Sequence, residues 1–437
     1  MIRNAALALL IVAGAAAFAF PAPAQDALLA HQAPLAIDPA ATAWVLTATA
    51  LVLMMTLPGL ALFYGGMVRK KNIISVIAQS AAAFGVVTVL WFIAGYSLSF
   101  GAGPAAVDGV IGGLQAAFLN GVTAETAHSL TPGLPELLFV SFQLTFAVIT
   151  PALIAGAFAE RMRFSAGVLF FALWHLIVYA PICHQVWGGG YLGGLGVLDF
   201  AGGAVVHVNA GVAGLVCALV LGPRHGFGRD NMAPANLAYS AIGTGLLLVG
   251  WIGFNAGSAG AADALAATAA FNTILAAGSA AVGWMVVEWI ERKRPTLLGL
   301  LSGIVGGLVA ITPAAGFVDP KGAFFIGLTA GPACYAGAVW LKHALKYDDS
   351  LDAFGVHGVG GIVGALLTGL FATTAVNPLA EGATIWKQAI GLAGAMVWSA
   401  AGTFLVLMIC KFTTGLRVAR EQEIEGLDYT QHGEALH

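Results

Sequence analysis

The sequence predicts an all-α polytopic membrane protein with 11 transmembrane helices, arranged as a five-plus-five inverted repeat with one extra helix. Three observations carry that prediction. Of the 437 residues, 59% are hydrophobic and only 9% are charged, where soluble domains carry about a quarter charged residues. The mean hydropathy is +0.89, and apolar runs of about 20 residues, matched to the thickness of a bilayer core, recur along the chain. Basic residues cluster in alternate loops. The 58 glycines allow the close helix approach that lipid-embedded bundles favour.

The first segment stands apart. MIRNAALALLIVAGAAAFAFPAPAQ has a basic start at Arg3, an apolar stretch, a helix-ending Pro21 and the small-residue run Ala22-Pro23-Ala24. Residues 1–24 therefore read as a cleaved signal peptide, with an uncleaved first helix as the alternative. The spans follow near 42–66, 73–100, 136–158, 164–182, 202–221, 236–255, 266–290, 296–312, 322–342, 354–374 and 386–410. Each is read as a helix, because a lipid-facing chain must satisfy its own backbone hydrogen bonds. Residues 42–412 thus form the transmembrane domain, and 413–437 form a charged tail. The alternate loops carry RKK, ERMR, PRHGFGRD, ERKR and KHALKYDD; with the tail they hold 15 of the 18 Lys and Arg, while the loop 101–135 has none. This alternation predicts an N-outside, C-inside topology in the inner (cytoplasmic) membrane. Four scattered cysteines, Cys183, Cys217, Cys334 and Cys410, suggest neither a disulfide framework nor a metal motif.

Two histidines account for the odd number of spans. His207, Gly211 and Gly214 in the fifth span share an H-x-x-x-G-x-x-G pattern with His357, Gly361 and Gly364 in the tenth. An aspartate lies eight residues before each histidine, at Asp199 and Asp349. With five helices per unit, the second copy enters the membrane in the opposite direction, and the substrate path of such a transporter lies at the repeat interface. Chance likeness of two Gly-rich helices is the rival reading.

Ionisable residues in the membrane interior are expensive and mark pathways. Zinc takes three or four protein ligands, and nothing near either histidine completes such a set. Burial disfavours the imidazolium, so two adjacent histidines should be mainly neutral and share a hydrogen bond. Their remaining polar edges would face an apolar lumen, suited to guiding a small hydrogen-bonding molecule or relaying a proton. A second cluster gathers at outer helix ends: Phe142, Gln143 and Phe146 in FQLTF, Trp187 in VWGGG, and Trp251, Phe254, Asn255 and Ser258 in WIGFNAGS. Single aromatics there often belong to an interface belt. Three with a hydroxyl form a cage for a small cation, which gains about 0.5–2 kcal/mol over ring faces and a hydrogen bond to the serine oxygen.

The stretches WGGGYLGGLGVLDFAGGAVVHVNAG, GWIGFNAGSAG, DAFGVHGVGGIVGALLTG and EQEIEGLDYTQHGE resemble the ammonium transporter family, which has relatives among methylammonium permeases and Rh proteins. The resemblance runs from about residue 42 to the end. It implies a homotrimer in the lipid bilayer with one pore per subunit, carrying ammonium, with methylammonium as a further candidate substrate. Matched motif by motif, Phe146, Trp187 and Ser258 become an external ammonium site, Phe142 and Phe254 a stacked gate below it, and His207 with His357 a twin-histidine pair. Asp199 matches an acidic residue that structures the recruiting site and assists deprotonation. For the tail, the resemblance implies packing beneath the trimer, coupling between subunits and docking of a PII-type nitrogen-signalling protein. The final ALH departs from the aromatic ending associated with the family.

Ammonium is nearly all cation at neutral pH, as an amine with a pKa of roughly 10 is, and carrying it intact through a dry pore costs several kcal/mol of desolvation. Splitting it lets neutral ammonia cross, while potassium has no proton to give up. Neither enzymatic activity nor a metal, cofactor or nucleic-acid partner is expected. Two rival readings are an ammonium sensor signalling through a cytoplasmic partner and an intramembrane metalloenzyme, the latter lacking a third ligand.

Overall fold

The computed structural model describes residues 37–123 and 125–436; the expected signal peptide at 1–24 lies outside them. Eleven apolar helices follow in chain order: α1 Pro39–Met67, α2 Lys70–Phe100, α3 Glu136–Phe158, α4 Phe164–Gly194, α5 Gly203–Leu221, α6 Leu237–Gly257, α7 Ala264–Arg292, α8 Leu297–Ile311, α9 Pro320–Leu345, α10 Ala353–Phe371 and α11 Ile385–Thr413. Ten are long and apolar enough to cross a membrane. The exception is α8. Its 15 residues rise about 22 Å at 1.5 Å each, short of a core of about 30 Å. From Thr312 the chain continues in tight turns, with bonds such as Ala314 N to Ile311 O and Phe317 N to Ala314 O.

Local chemistry sets the helix starts. Asp38, Asn236, Asp263, Thr296, Asp319 and Thr384 each accept backbone N–H bonds from the first turn of the helix that follows, and α1 and α9 also begin with proline, whose missing N–H is no loss there. Inside the helices, widened π turns recur. One contains Pro58 in α1, and others occupy Trp91–Gly95 in α2 and His175–Tyr179 in α4. Both histidine segments also begin as π turns, Gly203–Val208 and Ala353–Gly358. Such turns are rare and concentrate at functional positions.

The glycines of the repeated pattern explain how α5 and α10 meet. A Cβ placed on Gly211 would lie 2.2 Å from Gly358 N, and one on Gly361 would lie 2.8 Å from Val208 Cγ2. Each contact joins the residue four after one histidine to the residue just after the other. The reciprocity is that of a local two-fold relation, and only glycine permits so close an approach.

The loops at the tail end form one charged network. Arg224 donates to Asp348 through Nε and Nη2 at 2.9 and 2.8 Å, and to Glu160 through Nη1 at 3.3 Å. Arg69 pairs with Glu160 at 2.7 Å. Arg161, fully buried, donates to the Asp348 and Ala157 carbonyls and to Ser350 Oγ. Four inter-helix loops are thereby tied together.

The tail docks on this network as α12 Arg420–Glu425 and α13 Leu427–His432. Arg417 donates to the Leu221 and Pro223 carbonyls and pairs with Glu423, which also accepts from His225 N. Asp428 accepts from Ser75 N, and Asn72 Oδ1 accepts from Leu427 N. A charged sequence of this kind is commonly a solvated end, yet Glu423, Leu427 and Asp428 are buried.

Candidate functional site: a twin-histidine cavity beneath an aromatic mouth

The two histidines and the aromatics above them come from five helices, α3, α4, α5, α6 and α10. Two aspartates start the histidine segments. Asp199 accepts four backbone N–H bonds, from Gly202 and Gly203 through Oδ1 and from Ala204 and Val205 through Oδ2, at 2.6–3.1 Å. Asp349 repeats the device at the same spacing, accepting from Ala353 and Phe354 at 3.0 and 2.7 Å. A carboxylate at a helix start satisfies donors that have no partner within the helix. With all four bonds made, Asp199 fixes the start of α5.

These starts deliver His207 and His357 to one point. Their Nδ1 atoms lie 3.3 Å apart, with ring centroids at 5.4 Å and planes within 18°. One Nδ1 must carry a hydrogen and the other a lone pair for that bond to form. In a neutral pair the two rings are therefore opposite tautomers, one Nε2 a donor and the other an acceptor. Moving a proton along the pair exchanges these roles. His207 stacks at 5.2 Å on Trp251, whose Nε1 donates to Thr312 Oγ1 at 2.9 Å. Both histidines line a narrow cavity with Phe254, Trp251, Phe63, Leu153, Leu247 and other apolar residues. Its volume is ≈ 10 Å³, about the room that one water-sized molecule needs. A small neutral molecule fits that room; a hydrated cation does not.

Above the cavity sit the aromatics. The ring facing Phe254 belongs to Phe146, at 4.2 Å between centroids, and not to Phe142, which the sequence placed there. Phe142 lies one helical turn away and meets Phe146 edge-on at 5.0 Å. The physical reason is the period of α3: positions 142 and 146 share one helix face, and spacing alone does not select which reaches α6. Phe142 lies instead beside Gly257, where a Cβ would come within 2.8 Å of its ring. Trp187 stands perpendicular to Phe146 at 5.9 Å, its Nε1 donating to Asp199 O at 2.8 Å. Ser258 Oγ donates to Phe254 O at 2.8 Å. That hydroxyl hydrogen is engaged, so its lone pairs are left to accept.

Several of these features escaped the sequence. Trp251 appeared there only as one more aromatic, and its contact with His207 depends on the α5–α6 packing. Asp349 carried no role, although its place in the repeat was the signal. Among the described residues there is no group of three or more His, Cys, Asp and Glu side chains that could hold a metal ion.

The geometry can be set beside known proteins. The model of the Ammonium Transporter Family matches residues 43–436. The chain belongs to this family. It is 48% identical over 394 residues to an ammonium transporter of Bacillus subtilis (strain 168), covering 88% of this chain and 95% of that one. Its fold is similar to the crystal structure of Saccharomyces cerevisiae Mep2, with a TM-score of 0.81, 37% identity and 89% of each chain covered. A structure described as a Sensor Amt Protein is also similar, with a TM-score of 0.83, 31% identity, and 90% of this chain and 98% of that one covered. This chain is thus a multi-pass membrane protein of a transport family, as its residues and its apolar helices led one to expect.

Proposed function

We propose that this protein recruits ammonium at an aromatic mouth, removes its proton there and passes ammonia through the histidine-lined cavity. The observation that carries the proposal is the His207–His357 pair, bonded across two matching helix starts in a cavity otherwise walled by apolar side chains. At the mouth, Trp187 and Phe146 offer ring faces and Ser258 an acceptor oxygen, with Phe142 completing the outer wall. Phe146 and Phe254 form the gate below. Asp199 holds α5 in place and contributes its field to deprotonation. The reciprocal α5–α10 contacts support a five-plus-five inverted repeat, with α11 as the extra helix.

The charge pattern of the loops supports the N-outside, C-inside orientation in the inner (cytoplasmic) membrane. The family supports a homotrimer. The docked tail, closing over three loops at one end, supports a regulatory platform for a PII-type protein. The likeness to the sensor protein favours one second reading, in which the same cavity reports ammonium to a cytoplasmic partner. Flux separates the two, since a sensor need not conduct at transport rates.

The test is uptake of labelled methylammonium by proteoliposomes. Alanine at either His207 or His357 leaves its partner unpaired in a dry cavity, where an unsatisfied polar group costs about 1–3 kcal/mol. Uptake should fall severalfold or more in both variants. Full uptake in both would make the histidines structural and overturn the proposal.

A further inference from the structure

An uncharged polar side chain of α11 reaches the loop that carries Asp199. Gln388 lies in the first turn of α11 and is buried. Its Oε1 accepts from Leu198 N at 2.7 Å, and its Nε2 donates to Leu198 O at 2.7 Å and to Ala365 O at 3.2 Å. These partners fix which end of the amide is which. A flipped amide would set its NH2 against the Leu198 N–H and its oxygen against two carbonyls. Both N–H groups and the oxygen are in use, as a polar side chain inside an apolar bundle requires. The exchange of two bonds with one residue is that of a β-ladder rung, made here by a side chain.

The surroundings show what this amide holds. Leu198 directly precedes Asp199. The Asp199 carbonyl accepts the Trp187 indole N–H at 2.8 Å, while its carboxylate caps the start of α5. On the other side of Asp199, Phe200 N donates to Pro313 O at 3.1 Å. Asp199 is thus fastened through both neighbours, by α11 before it and by the turn after α8 beyond it. A second contact bears on the same stretch. A Cβ on Gly391, one turn after Gln388, would lie 2.6 Å from Val197 Cγ1, so glycine lets α11 close on the segment there. Ala365 belongs to α10, the helix of His357, so the one amide also ties α10 to the start of α5.

We propose that Gln388 is a positioning residue for the mouth: through Leu198 it holds the Asp199 carbonyl where the Trp187 indole binds it, and so sets the ring face that Trp187 presents. It touches no substrate. The placement of Trp187 stands on the bonds above, while its bearing on uptake rests on the recruiting role proposed for that indole.

The experiment has two arms, both on full-length protein in proteoliposomes. In the first, 5-fluorotryptophan is incorporated, and the ¹⁹F resonances of Trp187 and Trp289 are assigned by their loss in Trp187→Leu and Trp289→Leu. Gln388→Met, unbranched and of similar length, removes both donors and the acceptor. Gly391→Ala keeps the amide and pushes on Val197 instead. Each should shift or broaden the Trp187 resonance, while that of Trp289, at the opposite end of the bundle, keeps its place. A Trp187 resonance of wild-type position and width in both variants would overturn the proposal whether or not Trp187 recruits ammonium. The second arm is uptake of labelled methylammonium. Gln388→Met should raise the half-saturating concentration severalfold, with a smaller change in maximal rate. In a Trp187→Leu background it should add no further rise, because residues acting through one contact are not additive. A fall in maximal rate of equal size in both backgrounds, with half-saturation unmoved and the Trp187 resonance in place, is the result of a structural amide and would overturn the proposal. A displaced resonance with wild-type half-saturation would support the brace and reject the recruiting role of the indole.

Discussion

At the mouth, each residue does work that its side-chain chemistry alone allows. Trp187 presents a ring face and Ser258 a free acceptor, and these should govern apparent affinity more than the identity of what crosses. Removing the ring in Trp187→Leu forfeits about 0.5–2 kcal/mol of cation attraction, so the half-saturating ammonium concentration should rise by about 2- to 30-fold. Stopped-flow uptake over a concentration series checks this, and an unchanged curve would count against a recruiting role for the indole. The residue scale also shows where the sequence ran out. The spacing of His207 and His357 before their glycines was legible because a repeat marks itself. The ring that faces Phe254 was not, since Phe142 and Phe146 lie on the same face of α3 and only the placement of α6 selects between them. The stack of Trp251 on His207 was hidden for the same reason: it joins two helices 44 residues apart in position.

At the scale of elements, helix starts and loops were read unequally. Ten of the apolar runs match helices to within three residues at each end, whereas the fourth, read as 164–182, continues as helix to Gly194, where glycines and a tryptophan dilute the apolar pattern. The loop charges gave only a count per side. Their partners, such as Arg224 with Asp348 across 124 residues, are set by tertiary packing and leave no local pattern. Burial alone would raise the carboxyls of Glu160 and Asp348, but the guanidinium of Arg224, with Arg69 beside Glu160 and Arg161 beside Asp348, outweighs it and holds both below their ordinary values. A carboxyl so depressed stabilises the fold fully above its unfolded value, and that contribution is lost as pH falls through the folded one. The contribution of these two carboxyls to thermal stability should therefore be full above about pH 5, and be lost on acidification below their ordinary 4.5 and 3.8. Arg224→Met should lower stability at pH 7 by about 3–5 kcal/mol, the cost of leaving buried charges without their partner, and should shrink the acid step. Melting curves from pH 7 to pH 3 measure both. An acid step of wild-type size in the variant would mean that other groups govern the decline.

For the whole molecule, the histidine-lined cavity and the docked tail are built from largely separate parts. The histidine-lined cavity lies among α1, α3, α5, α6, α8 and α10, whereas the tail contacts loops and adjoining helix ends on one side, among them Asn72 and Ser75 of α2 and Leu221 of α5. Deleting residues from Gly415 onward should leave the membrane bundle folded and able to carry methylammonium. It should lower thermal stability, through loss of the Arg417 and Asp428 bonds, and abolish inhibition by a PII-type partner. Inhibition of the truncated protein to the wild-type degree would place the docking surface elsewhere. On the proposed function, ammonia crosses as a neutral molecule, and potassium is refused because it has no proton to leave behind. Potassium current through protein reconstituted in planar bilayers tests this most directly, comparing the wild type with His207→Asp and His357→Asp. A carboxylate in the cavity draws in water and stabilises an intact cation. The wild type should pass no potassium current, and at least one aspartate variant should pass a measurable one. Potassium current in the wild type, or its absence in both folded aspartate variants, would contradict it.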